Sequence, residues 1–288
     1  MKSLFQRLSL LMFALTAIGG SGALAADNGG KLRLIVVSFN IRIPVDPPPN
    51  DWATRKKRVV ADIRRMKPDL FGLQEAVPQQ IADLQSLGYL HIGTGRGRDL
   101  KGEASPVFYD PRRFELVESR TVWLSRTPQV YSLAKGADLP RIVTVGVFRE
   151  KTSGRKFVFA NTHLHHRNQK ICHPEQMRAV LDELKPYIRR GMTVFLTGDF
   201  NGTPAGVAYK MAAEVLRDAY LKSEQTPVRP QARTFHGFGR FLHKPGNRID
   251  YIWITPDVRV LRYESVNNFD AQGLASSDHY PQLAEVEF

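Results

Sequence analysis

The chain has 288 residues, with 41 Lys and Arg against 28 Asp and Glu, and one cysteine. A single cysteine excludes an internal disulfide and a cysteine-rich zinc site, so the fold must hold through its core. The formal charge of +13 favours anionic partners (nucleic acid, an anionic membrane surface or phosphorylated small molecules) without choosing among them.

The N-terminus reads as an export signal. Lys2 and Arg7 form its basic part ahead of an apolar run over 8–18, and Ala23-Leu24-Ala25 is a small-residue cleavage site. That run falls short of the roughly 20 residues a membrane span needs. The expected organisation is a signal peptide over 1–25, a flexible lead-in over 26–31 and one domain over 32–288, exported and monomeric.

In chain order, the β-branched stretch 32–43 predicts a central strand carrying Asn40 near its end. Apolar spacing over 52–66 predicts a helix closing before Pro68. Its basic run 55–58 (RKKR) fits a solvated helix face as well as an anion-binding patch. Residues 70–73 predict a short strand that delivers Glu75, and 81–87 a helix stopped by Gly88. The glycine-rich stretch 93–102 is no dinucleotide loop, because a strand at 107–109 follows it instead of a helix. Further strands are predicted at 115–121, 141–149, 156–160, 194–196, 248–254 and 282–288, with helices over 174–188 and 205–216. Strands outnumber helices, and two sheets packed face to face with helices outside would bury apolar surface on both faces of each sheet.

The most informative stretch is 193–204, TVFLTGDFNGTP. An apolar strand ends in Asp199 and Asn201, which share one face of an extended backbone. A turn explains these residues equally well. What distinguishes them is that other strand ends carry similar groups: Asn40, Glu75, Glu103, His163, Asp250, Asp278 and His279. Asn, Asp and Glu offer hard oxygen donors suited to Mg²⁺, Mn²⁺ or Ca²⁺. Histidines oriented by acids suit charge stabilisation or proton transfer beside a phosphate. Together they fit metal-assisted phosphoester hydrolysis.

The segments SFNIR (38–42), GLQE (72–75), GEASPVFYD (102–110), NTHLHH (161–166), GDFNGTP (198–204), RIDYIWI (248–254) and SSDHYP (276–281) occur in an order that resembles the endonuclease/exonuclease/phosphatase superfamily. The resemblance implies an α/β fold, a four-layer αββα sandwich of two mixed sheets, with the site at one mouth of the paired sheets. It implies that Glu75, with Asn40 and Asp278, holds Mg²⁺, for which Mn²⁺ can substitute. It implies that Asp199 and Asn201 orient water or phosphate, and that His279 is oriented by Asp250. His163 would act near the phosphate with Glu103 fixing its ring. A bacterial branch carrying TFHGF (234–238) is similar still, and adds Arg141 and His236 as substrate contacts. His165 stands where relatives carry an acid, and is expected to face solvent.

The implied activity is an exported Mg²⁺-dependent hydrolase, acting most directly on phosphodiesters, with nucleic acid a candidate substrate. The alternatives are lipid head groups or small phosphorylated metabolites, and a binding module that kept the fold and lost the chemistry. Phe235, Phe238 and Phe241 are the one candidate for an exposed apolar insertion, and Cys172 reads as a tolerated thiol.

Overall fold

The computed structural model describes residues 30–229 and 233–288; the expected signal peptide lies outside the described residues. In chain order the elements are β1 (Arg33–Asn40), α1 (Trp52–Met66), β2 (Leu70–Gln74), α2 (Pro78–Leu84), β3 (Leu90–Ile92), β4 (Val107–Tyr109), β5 (Phe114–Trp123), β6 (Ile142–Glu150) and β7 (Lys156–His163). They continue with α3 (Gln169–Arg189), β8 (Val194–Asp199), α4 (Val207–Ala213), β9 (Arg217–Asp218), α5 (Ala219–Lys222), β10 (Asp250–Ile254), β11 (Arg259–Ser265) and β12 (Gln282–Glu287). The strands form two six-stranded mixed sheets, ordered β11-β12-β1-β2-β4-β3 and β5-β6-β7-β8-β10-β9. Within them β1 runs parallel to β2 and β7 parallel to β8.

Side-chain alternation separates the layers. On β1, Leu34 and Val36 face the opposite sheet and meet Phe159, Phe195 and Ile252 in the inter-sheet core. Val37 and Phe39 point the other way, onto Val59 and Ile63 of α1. The outer face of the second sheet, including Val158 and Leu196, packs on Met177, Val180 and Leu184 of α3. The four-layer αββα arrangement follows, as the resemblance implied. Near the mouth the two sheets approach closely. A Cβ on Gly72 would lie 2.3 Å from Thr197 Oγ1 and 2.4 Å from Asn161 Cγ, so only glycine fits there.

α1 begins at Asp51, whose carboxylate accepts from Thr54 N, and ends at Lys67 in the left-handed conformation. Its basic run divides, because Arg55 and Arg58 are buried while Lys57 stays exposed. The Arg55 guanidinium donates to the carbonyls of Ile41, Arg42, Asn50 and Ser276, and Arg58 to those of Ala275 and Pro49. The two arginines therefore brace the loop after β1 against the loop before β12. Arg55→Met removes the donors and leaves the carbonyls of Ile41 and Ser276 unpaired, while that of Arg42 keeps Gln80 Nε2. It should lower stability by about 3 kcal/mol, measured by denaturant unfolding.

Several elements depart from the expected boundaries. β7 continues past Ala160 to His163, and α3 starts at Gln169, five residues before Pro174, because Cys172 and His173 are buried beneath the 164–168 loop. The helix expected over 205–216 stops at Ala213 and gives way to β9. β3 and β11 were not anticipated. β3 is three residues long, and a register shift between Val260 and Arg262 breaks the alternation of β11.

Candidate active site

The functional side chains continue the inward-facing rows of the core. Phe157, Phe159, Asn161 and His163 lie on one face of β7, Phe195, Thr197 and Asp199 on β8, and Ile254, Ile252 and Asp250 on β10. In register, Asp199 pairs with His163 on one side and with Asp250 on the other. Where the apolar residues run out, each strand delivers a polar group to the same mouth. β1 and β2 add Asn40 and Glu75 from the facing sheet, and the turn before β12 adds Asp278 and His279.

These residues converge on a cavity of about 530 Å³, lined by Glu75, Glu103, Arg141, His163, Asp199, Asn201, Asp278 and His279. Asn40 Nδ2 donates to Glu75 Oε1 at 3.1 Å and to Asp199 Oδ2 at 3.0 Å, so one amide spaces two acids. Glu75 Oε2 accepts from Ile43 N at 2.9 Å. Asp199 Oδ1 accepts from Asn201 N at 2.8 Å. Asn201 Nδ2 donates to His163 Nε2 at 2.9 Å, which leaves the His163 proton on Nδ1. His279 Nδ1 donates to Asp250 Oδ2 at 3.0 Å, and its Nε2 lies 3.8 Å from Asp199 Oδ2.

Burial and neighbouring charge set the protonation states. Burial opposes the charge of Glu75, yet the Ile43 amide, Asn40, His279 and Arg42 together hold its carboxyl below the usual value. Asp199 is pushed well up, first by burial and then by Asp250. Burial also works against the His279 imidazolium, but Asp250 and Asp199 overcome it and raise the ring to about 10. Burial, with Arg141 and Arg96, drives His163 well down and keeps it neutral. The site thus sets a cationic histidine against a carboxyl poised to take a proton.

Asp199, Asp250 and His279 also place ligand atoms within 4.8 Å of one another, a spacing a metal could use. His279, however, is held as a cation between two acids, which suits it to phosphoryl charge and not to ligation. Glu75 and Asp278 make the better cation site. Burial, reinforced by Glu75, pushes the Asp278 carboxyl up, and the nearest guanidinium, Arg42 at 3.8 Å from each, is already engaged by Asp46 at 2.8 Å. This pair of buried oxygen donors fits a divalent cation of the Mg²⁺ or Mn²⁺ type.

Backbone conformation supports a purpose-built mouth. Seven non-glycine residues among those described have positive φ, and four of them, Arg42, Glu75, Asn201 and Phe238, line this cavity. Such strain gathers where side chains must be aimed.

Some expected residues lie elsewhere. His236 is turned away from the cavity and fully buried, its ring 4.3 Å from that of Tyr280 and 4.8 Å from that of Phe269. It is a core histidine and not a substrate contact. Glu103 forms an ion pair with Arg96 instead of fixing the His163 ring. His165 does not face solvent; it is buried, with Nε2 2.9 Å from Asp138 Oδ1. Phe235, Phe238 and Phe241 form a cavity wall and not a surface insertion, with the Phe235 ring 4.9 Å from His279. Cys172 is buried with its thiol pushed up by burial, the opposite of an activated nucleophile. Arg42, Arg96 and His166 line the cavity without having been singled out. Local signals were present: Arg42 ends the SFNIR segment, His166 ends NTHLHH, and Arg96 follows Gly95 just before the 102–110 motif.

Burial holds the His236 ring down to about 3, against an ordinary 6.5. Below pH 6.5 the unfolded chain binds a proton that the folded chain refuses, so this histidine costs nothing at pH 7 and destabilises progressively as pH falls towards 3. Between pH 6.5 and 5 the loss should be about 2 kcal/mol. The slope of Tm against pH in that window should be shallower in His236→Gln than in the wild type.

The sequence profile of the Endonuclease/Exonuclease/phosphatase family matches residues 37–279. The chain belongs to this family. A family protein from Bacteroides vulgatus superposes with a TM-score of 0.81 at 33% identity, covering 89% of this chain and 99% of that one. A mannosyl-6-phosphatase of Bacteroides thetaiotaomicron gives 0.80 at 31% identity, covering 88% and 100%. The human Nocturnin catalytic domain shares the fold, with a TM-score of 0.69 at 21% identity over 88% of this chain and 93% of its own. No curated protein matches the chain. Members of the family are phosphoesterases and nucleases, and the chain is a hydrolase of that family. Among the described residues no helix is long and apolar enough to cross a membrane.

Proposed function

We propose that the chain is an exported, divalent-metal-dependent phosphoester hydrolase whose substrate is a small phosphorylated compound. The observation that carries this reading is the convergence of Glu75, Asp199, Asp278 and His279 on one cavity that the buried guanidinium of Arg141 also lines, with Asn40 and Asp250 hydrogen-bonded behind them. A binding module without chemistry has no use for an acid with a raised proton affinity beside a charged imidazolium. Export rests on the sequence before residue 26.

Glu75 and Asp278 would hold Mg²⁺ or Mn²⁺, with Asn40 setting the orientation of Glu75. The bound cation would neutralise charge on the phosphoryl oxygens. In the hydrolysis a water oxygen bonds to phosphorus as the bond from phosphorus to the ester oxygen breaks. Asp199 accepts the proton the water loses. His279, kept charged by Asp250, has its Nε2 3.8 Å from the Asp199 carboxylate. It stabilises the phosphoryl charge and supplies a proton to the departing oxygen. Asn201 and the neutral His163 position the group under attack.

A small substrate is favoured over a polynucleotide on three grounds. Half of the densest basic run is buried as bracing, so the surface offers less of a phosphate-gripping stripe than the sequence suggested. The 235–241 segment closes one side of the cavity with aromatic side chains, where a duplex would need an open groove. A relative covering the whole domain is named for a sugar-phosphate activity. The test is a panel of sugar phosphates, inositol phosphates, sphingomyelin, RNA and plasmid DNA, each with and without a chelator. Cleavage of small phosphate esters that a chelator abolishes and Mg²⁺ or Mn²⁺ restores is expected. Cleavage confined to nucleic acid, or surviving the chelator, would overturn the substrate or the metal assignment respectively.

A further inference from the structure

Arg141 is the most conspicuous unsatisfied group in the cavity. It enters from the residue before β6, is 5% exposed, and has a buried Nε with no hydrogen-bond partner; no ion pair closes on it among the described residues. A buried guanidinium left in this state is costly unless an anion completes it. Its neighbours do not complete it. Glu103 is committed to Arg96, and two arginines against one acid leave this corner positive. The nearby His163 is neutral and adds no charge. Facing the corner across the cavity are the acids Glu75 and Asp199. The cavity is thereby divided into an acidic side, suited to a cation, and a closed cationic side.

We infer that Arg141, backed by Arg96, is an anion-binding corner for the terminal oxygens of a phosphomonoester dianion, and that it makes the site select monoesters over diesters. This rests on the reading of the cavity as a phosphoester hydrolase. A monoester near neutral pH carries close to two negative charges and three terminal oxygens free of substituents. A planar guanidinium can take two of them at once. A diester carries one charge, and its second substituent would have to run into the buried floor that Arg141 occupies. The leaving group then lies against the aromatic side chains of Phe235, Phe238 and Phe241, which leave room for a small group.

Turnover and binding test this separately. With Mg²⁺ present, the wild type should hydrolyse 4-nitrophenyl phosphate with a kcat/KM about 10²-fold above that for bis(4-nitrophenyl) phosphate. Arg141→Gln should lower the monoester value by about 10²-fold and the diester value by less than about 5-fold. By calorimetry the wild type should bind inorganic phosphate at least about 10-fold tighter than dimethyl phosphate, and Arg141→Gln should erase that gap. Arg141→Lys should recover part of it. If Arg141→Gln does not fold, Arg96→Gln, at a partly exposed position, should narrow both gaps in the same direction. Equal losses on the two esters, or a binding gap unchanged in the variants, would overturn the inference. A wild type that cleaves neither ester would refute the hydrolase reading, and the calorimetric gap would still decide the corner.

Discussion

Asp199→Asn should lower kcat by about 10³-fold or more while moving Tm by no more than a few degrees. The loss in rate follows from the one property the amide cannot reproduce, which is proton uptake at a site where burial and Asp250 have already raised the carboxyl. It also follows from lost charge complementarity, since His279 Nε2 faces the Asp199 carboxylate at 3.8 Å. Stability changes little because two effects oppose each other. Removing a buried charge in contact with Asp250 is favourable, whereas an amide group turned towards Asn40 Nδ2 sets two donors face to face where a hydrogen bond stood. Steady-state kinetics and thermal melts on the same preparation check both halves. Near-normal turnover would remove Asp199 from proton transfer.

Glu75→Gln should all but abolish the stabilisation that Mg²⁺ or Mn²⁺ confers and cut kcat/KM by about 10²-fold or more at a fixed cation concentration. The backbone at Glu75 is held at φ 62 and its two oxygens accept from Asn40 Nδ2 and Ile43 N, so the carboxylate is aimed before any ligand arrives. The substitution keeps the shape but removes the charge, leaving Asp278 as the one acid of the pair to face a cation. Thermal melts across a cation titration separate this from simple misfolding. A folded variant whose Tm no longer rises with Mg²⁺ is expected, and an undiminished rise would move the cation site elsewhere. Partial recovery of turnover at high cation concentration should accompany the loss.

Much of the site was legible because strand geometry is local. On β1, β7, β8 and β10 side chains alternate between faces. A polar group at the end of an inward row, such as Asn40, His163, Asp199 or Asp250, is therefore carried to the mouth by the same register that buries Leu34, Phe159, Phe195 and Ile252. The αββα layering was legible for the same reason, as were α1 and β4, whose boundaries match the expected ones. The errors fall where a side chain has two environments open to it. Arg55 and Arg58 have the spacing of a solvated helix face and are buried. His236 lies in the motif of a substrate contact and packs against Phe269 and Tyr280. His165 meets Asp138 and not water.

Sequence alone determined the strand periodicity, the strand-end acids and histidines, and the excess of positive charge, because each depends on residue identity and on spacings of two to four positions. Tertiary structure decided which charges are paired and which are left over. Arg55 finds its acceptors at Ile41, Arg42 and Ser276, Glu103 finds Arg96, and Arg141 finds none. Those outcomes depend on chain segments far apart in sequence meeting at one mouth, and the cost of burying a charge depends on what it meets there.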